Sequence, residues 1–276
     1  MTHRVGIIGT GKIAQHLEQR LAVLGWEVVF RTNRREYFSK GGASAWDGSE
    51  SAEDRAERLL ALDAPELVFL ANSTNDEGQE ALGYIRTFCG GRIPVVTCEK
   101  GALSHFDLRE YLPLLGFTAS VGGGTHMLRY VSERRPNGAP VEIDGVFNGT
   151  LNYVFHQVSG GSTLAGACEE AKELHITEPG ADDPLSVING EMRDVVMKVC
   201  VLHNSTLSSG EALTPAAFGP VALTADDLEL LAKSAGAYRM IVSLSNSKAV
   251  PRRSFFKEGY GTKSGRWDIR FGFRTV

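Results

Sequence analysis

A glycine-rich turn directly after a short apolar run constrains the fold of this chain more than any other feature of its sequence. Val5–Ile8 is an apolar, β-rich run, and the segment after it matches GxGxxG/A and opens a helical pattern. In that motif the glycines let the backbone approach a pyrophosphate held at a helix N-terminus. We therefore expect a dinucleotide to be bound by Gly9, Thr10, Gly11, Lys12, Ile13 and Ala14. The alternative is an ordinary strand-to-helix turn without a ligand.

The residues after the second strand indicate which dinucleotide is preferred. An NAD site places Asp or Glu about 20 residues beyond the glycine turn, where the carboxylate holds the ribose hydroxyls. Here that stretch reads Arg31-Thr32-Asn33-Arg34-Arg35. Without a carboxylate there is less repulsion against a 2'-phosphate, and guanidinium groups can bind one. We expect Arg34 and Arg35 to favour NADP over NAD; the alternative is a solvated basic turn.

The first 120 residues alternate β-rich runs with helical patterns, as βαβ units do. The predicted strands are Val5–Ile8, Val28–Arg31, Leu67–Ala71, Pro94–Thr97 and Phe117–Val121. The predicted helices are Ile13–Leu24, Ala52–Leu62, Glu77–Phe88 and Phe106–Leu115. Right-handed crossovers then give a Rossmann-type, doubly wound parallel α/β sheet. We expect residues 33–53, which are polar, to form a long surface loop.

The pattern changes near residue 125, which predicts a second, α+β domain. Its predicted strands are Glu142–Phe147, Ile241–Leu244, Ser254–Phe256 and Ile269–Phe273, and its predicted helices are Leu164–Leu174 and Glu191–His203. We expect residues 1–125 to form an NAD(P)-binding Rossmann domain. Residues 126–276 are expected to form the catalytic and dimerisation domain.

Polar residues follow two of the predicted parallel strands. Asn72, Ser73 and Thr74 come after Leu67–Ala71, and Lys100 comes after the strand that ends at Thr97. Ligands of open α/β sheets collect at the carboxyl ends of the strands. Asn72, Ser73 and Thr74 are therefore expected to face the cofactor, and Lys100 a substrate carbonyl or carboxylate. Polar loops and surface lysines are the ordinary alternatives.

A pair of opposite charges lies on an apolar helical segment further along the chain. Asp194 and Lys198 are four positions apart, so a helix places them on one face. The residues around them, from Val195 to Leu202, are almost all apolar, which indicates a largely buried helix. Because a buried ion pair is costly, this pair is a candidate catalytic or binding group rather than a solvated contact.

Composition and charge exclude several other classes. With 29 Lys and Arg against 33 Asp and Glu, the formal net charge of −4 gives no basic field for nucleic acid. The 4 cysteines are far apart, as expected for reduced thiols in a cytoplasmic protein rather than a zinc site. No apolar run approaches the ~20 residues that a membrane helix needs. We expect a cytoplasmic protein with a small-molecule substrate and neither nucleic-acid nor membrane partners.

Taken together, several segments resemble the homoserine dehydrogenase family. They are residues 121–124 (VGGG), 145–153 (GVFNGTLNY), 169–174 (EEAKEL) with 177–179 (TEP), 194–198 (DVVMK) and 96–103 (VTCEKGAL). They occur in the family's order, cover roughly residues 4 to 204, and are most specific at NGTxNY. After residue 204 the resemblance fades, and nothing after Trp267 matches the family's closing helix. We expect the C-terminal part to be shortened or closed by a different element.

The resemblance implies NAD(P)-dependent interconversion of L-aspartate 4-semialdehyde and L-homoserine in threonine and methionine biosynthesis, by a homodimer. Lys198 would donate the proton to the carbonyl oxygen, and Lys100 would sit between nicotinamide and substrate. The substrate would contact Gly149, Thr150, Glu178, Asp183 and Asp194. A monovalent cation such as sodium would bind Thr118, Val121, Gly123 and Thr125, mostly through backbone carbonyls.

The chain departs from the family at positions near the predicted site. Glu99 replaces an asparagine, Ile176 a tyrosine, His175 a glycine, His126 a proline, and Thr118 a glutamate found in many relatives. These departures keep two further hypotheses open. One is an NADP-binding homologue with little turnover that acts as a redox sensor. The other is a reductase of a related amino-acid semialdehyde.

Overall fold

The fold is that of a computed structural model of the chain. The structure describes residues 2–134, 142–177, 182–207, 212–219, 221–233, 238–246, 260–264 and 267–275. The chain divides into two compact units, an N-terminal unit of Met1–Tyr130 and a C-terminal unit of Val131–Val276.

Strands and helices alternate through most of the N-terminal unit. Its strands are β1 (Arg4–Ile8), β2 (Glu27–Thr32), β3 (Glu36–Ser39), β4 (Gly42–Ala45), β5 (Leu67–Leu70), β6 (Val95–Thr97) and β7 (Leu115–Gly116). Its helices are α1 (Lys12–Val23), α2 (Ala52–Asp63), α3 (Gln79–Gly90) and α4 (Gly101–His105), with α5 (Met127–Arg134) crossing into the next unit.

The strands of this unit form one seven-stranded sheet in the order β4-β3-β2-β1-β5-β6-β7. β1 pairs in parallel with β2 on one side and with β5 on the other, and β6 and β7 continue the parallel part. The chain therefore reverses its direction of growth at β1, as in a doubly wound sheet. Val5, Ile7, Ala14 and Leu21 form a buried cluster that packs α1 on this sheet. The predicted Rossmann-type class is confirmed.

The predicted surface loop at residues 33–53 is wrong for residues 36–45. β3 and β4 form an antiparallel hairpin that extends the sheet beyond β2. Trp46 fixes this segment, since its indole N–H donates to the hydroxyl of Thr32 at 2.9 Å. Polar composition concealed the hairpin because β4 is exposed and carries only small residues.

Two further predictions near the end of this sheet are also wrong. The helix expected at Phe106–Leu115 forms instead as the short α4, which ends where Phe106 adopts an extended conformation. The carboxylate of Glu99 starts α4 early, since it accepts the N–H groups of Gly101 and Ala102 at 2.5 and 3.0 Å. The strand expected at Phe117–Val121 is replaced by the short β7, which lies just before that range, and by a 3-10 turn at residues 118–120.

The C-terminal unit combines helices with an antiparallel sheet. Its helices are α6 (Gly149–Ser159), α7 (Leu164–Glu173), α8 (Pro184–Leu202) and α9 (Ala225–Lys233). Its strands are β8 (Glu142–Gly145), β9 (Tyr238–Ser245), β10 (Tyr260–Ser264) and β11 (Trp267–Thr275), in the sheet order β10-β11-β9-β8. α6 packs on β9 and also contacts α7 and α8. The unit is α+β, as expected.

Helix α8 is longer than the predicted Glu191–His203. Asp183 begins it with a capping box, accepting the N–H groups of Leu185 and Ser186, and Pro184 takes the first helical position. The stretch of residues 184–190 is thus the first part of α8. The predicted strand Ser254–Phe256 lies outside the described residues.

Candidate functional site

The carboxyl ends of β1, β2 and β5 border a cleft of about 350 Å³ in the N-terminal unit. Seven residues predicted to bind the cofactor line it: Gly9, Thr10, Gly11, Arg34, Arg35, Asn72 and Ser73. Lys12, Ile13 and Ala14 form the first turn of α1, directly after the glycines. The structure thus gathers residues from three separate loops at the switch point of the sheet, where nucleotides bind in this class of fold.

The glycine turn has the geometry that a diphosphate requires. Gly9 has a φ of +126°, and a Cβ placed on it would lie 2.4 Å from the carbonyl oxygen of Ala71, so no larger residue fits there. A Cβ on Gly11 would meet nothing within 4 Å, which leaves the start of α1 open. The first turn of α1 has no acidic residue. Its positive dipole end is therefore unopposed, and these residues fit a pyrophosphate.

Arg34 is already engaged by carboxylates. Its Nε donates to Glu80 at 2.7 Å, and its Nη2 lies 3.5 Å from Asp76. The hydrogen bond that Arg34 donates to Glu80 raises the pKa of the guanidinium. Arg35 is exposed, and its backbone N–H donates to the side-chain oxygen of Asn33, which shapes the turn after β2. The loop after β2 therefore carries two guanidinium groups, those of Arg34 and Arg35. The side chain of Arg34 is half-exposed and is held by Glu80.

The loops after β5 and β6 are fastened to one another by Glu99. This buried carboxylate accepts the hydroxyl of Thr74 as well as the two N–H groups at the start of α4. Gly78 packs so closely on α4 that an added Cβ would lie 2.0 Å from the backbone nitrogen of Ala102. Lys100 is the N-cap residue of α4 and is half-buried. Glu99 thus fixes the backbone that carries both Thr74 and Lys100.

The C-terminal unit holds a buried polar cluster, which we define as Asn148, Glu191, Asp194 and Lys198. The ammonium of Lys198 lies 2.5 Å from Asp194 Oδ2 and donates to the carbonyl oxygen of Phe147 at 3.0 Å. The amide of Asn148 donates to Glu191 at 2.7 Å and to Asp194 at 3.1 Å. Both carboxylates are 2% exposed. The predicted Asp194–Lys198 ion pair therefore exists and is buried.

Helix geometry and capping explain how this polar cluster forms. Glu191, Asp194 and Lys198 lie three and four positions apart on α8, so they share one face. Asn148 is the N-cap of α6, where its side-chain oxygen accepts the N–H of Leu151 at 2.7 Å. The same amide group reaches α8 through its nitrogen. Sequence analysis did not single out Glu191 as a site residue, although its spacing to Asp194 was a usable signal.

The other predicted substrate residues have mixed positions. Thr150 is buried and donates its hydroxyl to the carbonyl oxygen of Ile176, whereas Gly149 is exposed at the start of α6. Glu178 lies outside the described residues. Asp183 caps α8, and donors from Ser186 lower the pKa of its carboxyl group. At 1.5 Å per residue it lies about 16 Å from Asp194 along the helix axis, so the structure does not bring these two carboxylates together.

Three of the predicted cation residues lie on two consecutive 3-10 turns, and the fourth, Val121, lies between the turns. These turns span Thr118–Ser120 and Gly123–Thr125, and the hydroxyl of Thr125 donates to the carbonyl oxygen of Gly122 at 2.7 Å. In the part of the chain that the structure describes, no three His, Cys, Asp or Glu side chains are grouped as metal ligands. Backbone ligation by Thr118, Val121, Gly123 and Thr125 stays a prediction, and no step proposed below depends on it.

The thiols and the helices bear on two other expectations. All four cysteines are free thiols, and burial raises the pKa of Cys89 and Cys168 to about 11. Such thiols are protonated and poorly nucleophilic at neutral pH. Among the helices in the described ranges, none combines the length and hydropathy that crossing a bilayer requires.

Known proteins resemble this chain in its fold and in part of its sequence. The parallel sheet, its cleft and the second unit define a two-unit α/β protein of the Rossmann type. Residues 129–257 match the profile of the family described as Homoserine dehydrogenase. This part of the chain, under half of its length, is therefore similar to homoserine dehydrogenases.

Individual relatives are distant in sequence. The homoserine dehydrogenase of Saccharomyces cerevisiae is 27% identical over 251 residues, which cover 81% of this chain and 67% of the yeast protein. The NAD(+)-dependent homoserine dehydrogenase of Pseudomonas canavaninivorans is 27% identical over 211 residues, which cover 74% of this chain and 58% of that protein. The chain thus spans under two thirds of the length of the bacterial relative.

Solved structures share the fold. The homoserine dehydrogenase of Thermoplasma acidophilum matches with a TM-score of 0.65 and 17% identity, covering 100% of this chain and 83% of that chain. A hyperthermophilic archaeal homoserine dehydrogenase in complex with NADPH matches with a TM-score of 0.58 and 19% identity, covering 99% and 92%.

Proposed function

We propose that this protein is an NADP-dependent homoserine dehydrogenase, which interconverts L-aspartate 4-semialdehyde and L-homoserine. The observation that carries the proposal is the partly buried ammonium of Lys198, held between Asp194 and the carbonyl oxygen of Phe147. This group lies within the residues that match the family profile. Two contacts fix the ammonium of Lys198, and its side chain is 17% exposed. The lysine can therefore donate a proton to a small substrate from a defined position.

Lys198 performs the proton transfer in this proposal. A bound reduced nicotinamide would supply a hydride to C4 of the aldehyde, and negative charge would then develop on the carbonyl oxygen. The Nζ of Lys198 stabilises that charge and donates one proton to the oxygen, giving the alcohol. Solvent then returns the proton to Lys198. In the direction of homoserine oxidation the overall reaction releases one proton, so alkaline conditions favour that direction.

The remaining groups of the C-terminal unit orient the substrate. Asp194 holds Lys198 and, with Glu178, binds the substrate's ammonium and hydroxyl groups, while Gly149 and Thr150 line the pocket. Asp183 supports this arrangement through α8, which it caps. The burial of Asp194 supports its part in the proposal, because a buried carboxylate interacts strongly with a cation.

The cofactor is assigned to the cleft of the N-terminal unit. Gly9 to Ala14 bind the pyrophosphate, Arg34 and Arg35 the 2'-phosphate, and Asn72, Ser73, Thr74 and Lys100 the nicotinamide side. The open start of α1 supports the first assignment, and the two arginines beside the cleft support the second. The archaeal relative solved with NADPH agrees with this choice, whereas the Pseudomonas relative is named for NAD.

We also propose that the protein is a cytoplasmic homodimer that serves threonine and methionine biosynthesis. The free thiols support the location, and the four-stranded antiparallel sheet supports association through the C-terminal unit. Light scattering at micromolar concentration tests the assembly. A monomeric mass would contradict it.

Oxidation of L-homoserine at alkaline pH tests the activity. We expect absorbance of the reduced nicotinamide to rise with NADP and to rise more slowly with NAD at equal concentration. L-serine, which is one methylene shorter, is the matched control and should give little turnover. If homoserine gives no turnover while NADPH still raises the melting temperature, the protein binds cofactor without this substrate. A different semialdehyde or a sensor function would then replace the proposal.

A further inference from the structure

Glu80 places a carboxylate at the wall of the cofactor cleft where the sequence after β2 has none. Glu80 lies in the first turn of α3 and lines the cleft together with Arg34 and Tyr84. Its Oε2 accepts Nε of Arg34 at 2.7 Å, and its Oε1 accepts Nη2 of Arg55 at 2.9 Å. The carboxylate is therefore held from both sides, directly against the arginine assigned to the 2'-phosphate.

The network behind Glu80 is rigid. Its side chain is 10% exposed and that of Arg55 is 9% exposed. Arg55 also donates to the phenolic oxygen of Tyr84 at 2.9 Å and to the backbone carbonyl of Glu50 at 3.0 Å. The start of α3 favours a negative charge at this position through the helix dipole. Glu80 is thus pre-positioned, and its carboxylate retains acceptor capacity, since two oxygens offer about four lone-pair sites.

We propose that Glu80 is a specificity-determining residue that accepts the 2'-hydroxyl of NAD, so that the cleft binds both dinucleotides. In NAD-binding Rossmann proteins an acidic residue at the end of the second strand holds this hydroxyl. Here the carboxylate comes from α3, while Arg34 occupies the end of β2. Arg34 binds the 2'-phosphate of NADP, and its pairing with Glu80 offsets the repulsion between that phosphate and the carboxylate.

This inference rests on the proposed cofactor binding and makes a sharper prediction than that proposal. Loss of the negative charge in Glu80→Gln weakens the acceptor for the 2'-hydroxyl of NAD and removes a repulsive charge for NADP. Both effects move the ratio of dissociation constants, Kd(NAD) over Kd(NADP), in the same direction. A charged hydrogen bond in a partly buried site leads us to expect the ratio to rise by at least about tenfold in Glu80→Gln.

Calorimetric titration of the full chain with NAD and with NADP, at one ionic strength, measures this ratio directly. Asp76→Asn is the matched control, because Asp76 carries the same charge and lies 3.5 Å from the same arginine but is 79% exposed. We expect its ratio to stay within about twofold of the wild-type ratio. Since Glu80→Gln leaves Arg55 buried without its anion, Arg55→Gln/Glu80→Gln is titrated as well, which removes both charges.

The outcomes separate the two proposals. A rise in the ratio in both Glu80 variants and not in Asp76→Asn supports the inference. If wild type binds both dinucleotides but the ratio is unchanged in the double variant, the role of Glu80 is refuted and the proposed function stands. An equal rise in Asp76→Asn also refutes it, since general charge near Arg34 would explain the result. If wild type binds neither dinucleotide, both proposals fail.

Discussion

Replacing Lys198 with methionine tests the proposed chemistry most directly. Methionine keeps much of the length of the side chain but has no proton to donate, so kcat should fall by ~10²–10⁴-fold, the usual contribution of a general acid. The affinity for NADP should hold, because its proposed binding residues lie in the N-terminal unit. Stopped-flow or steady-state absorbance of the nicotinamide measures kcat, and calorimetry measures the cofactor Kd.

The same substitution also has a cost in stability. Asp194 is 2% exposed and would lose its ammonium partner. Breaking a buried pair costs about 3–5 kcal/mol, and we expect the lower end because Lys198 is 17% exposed and Asn148 still donates to Asp194. A loss of about 3 kcal/mol corresponds to a decrease of roughly 6–12 °C in the melting temperature.

Two companion variants separate chemistry from folding. Asp194→Asn/Lys198→Met removes both charges and should recover most of the melting temperature but none of the kcat. Lys198→Arg keeps a cation beside Asp194, yet a guanidinium does not release its proton, so stability should exceed that of Lys198→Met while kcat stays low. If kcat of Lys198→Met remains within tenfold of the wild-type value, Lys198 is not the proton donor.

Three further predictions concern cofactor binding and pH. Arg34→Ala/Arg35→Ala should weaken NADPH at least about tenfold more than NADH in a binding titration, and equal weakening would contradict the 2'-phosphate assignment. Gly9→Ala should lower dinucleotide affinity at least about tenfold because its methyl group would meet a backbone carbonyl at 2.4 Å, whereas Gly25→Ala, also at positive φ but in open space, should not. Burial lowers the pKa of His203, so the unfolded chain binds its proton first, and melting temperature should fall as pH drops below about 6.5, less steeply in His203→Gln.

The parallel part of the sheet was predictable because its signals are local. The strands β1, β2, β5 and β6 each correspond to an apolar run of a few residues, and the glycine turn fixes the first crossover. The errors arose where contacts without a periodic pattern decide the structure. The hairpin of β3 and β4 depends on pairing with β2. Helix α4 begins early because Glu99, three residues before Ala102, accepts its N–H.

The candidate site likewise combines a local pair, which the sequence could predict, with long-range pairs, which it could not. The Asp194–Lys198 pair was predictable, since helical spacing brings two residues of one segment together. Asn148 reaches that pair from another helix, and Glu80 reaches Arg34 from α3, which lies three strands and one helix further along the chain. Long-range pairs of this kind are set by the packing of elements and have no fixed spacing. A search for acidic residues near the end of β2 in sequence therefore could not find the carboxylate that faces it in space.

The length of helix α8 determines which acidic residues can contact one substrate molecule. Eleven positions separate Asp183 from Asp194, and because the whole interval is helical the two carboxylates stand about 16 Å apart along the axis. That distance is greater than a four-carbon amino acid can span, so one substrate molecule does not contact both. Glu191, three positions before Asp194 and joined to it through Asn148, is the second buried carboxylate of the polar cluster. Among the described residues of α8 and its cap, the negative charge of this cluster therefore comes from Glu191 and Asp194 and not from Asp183.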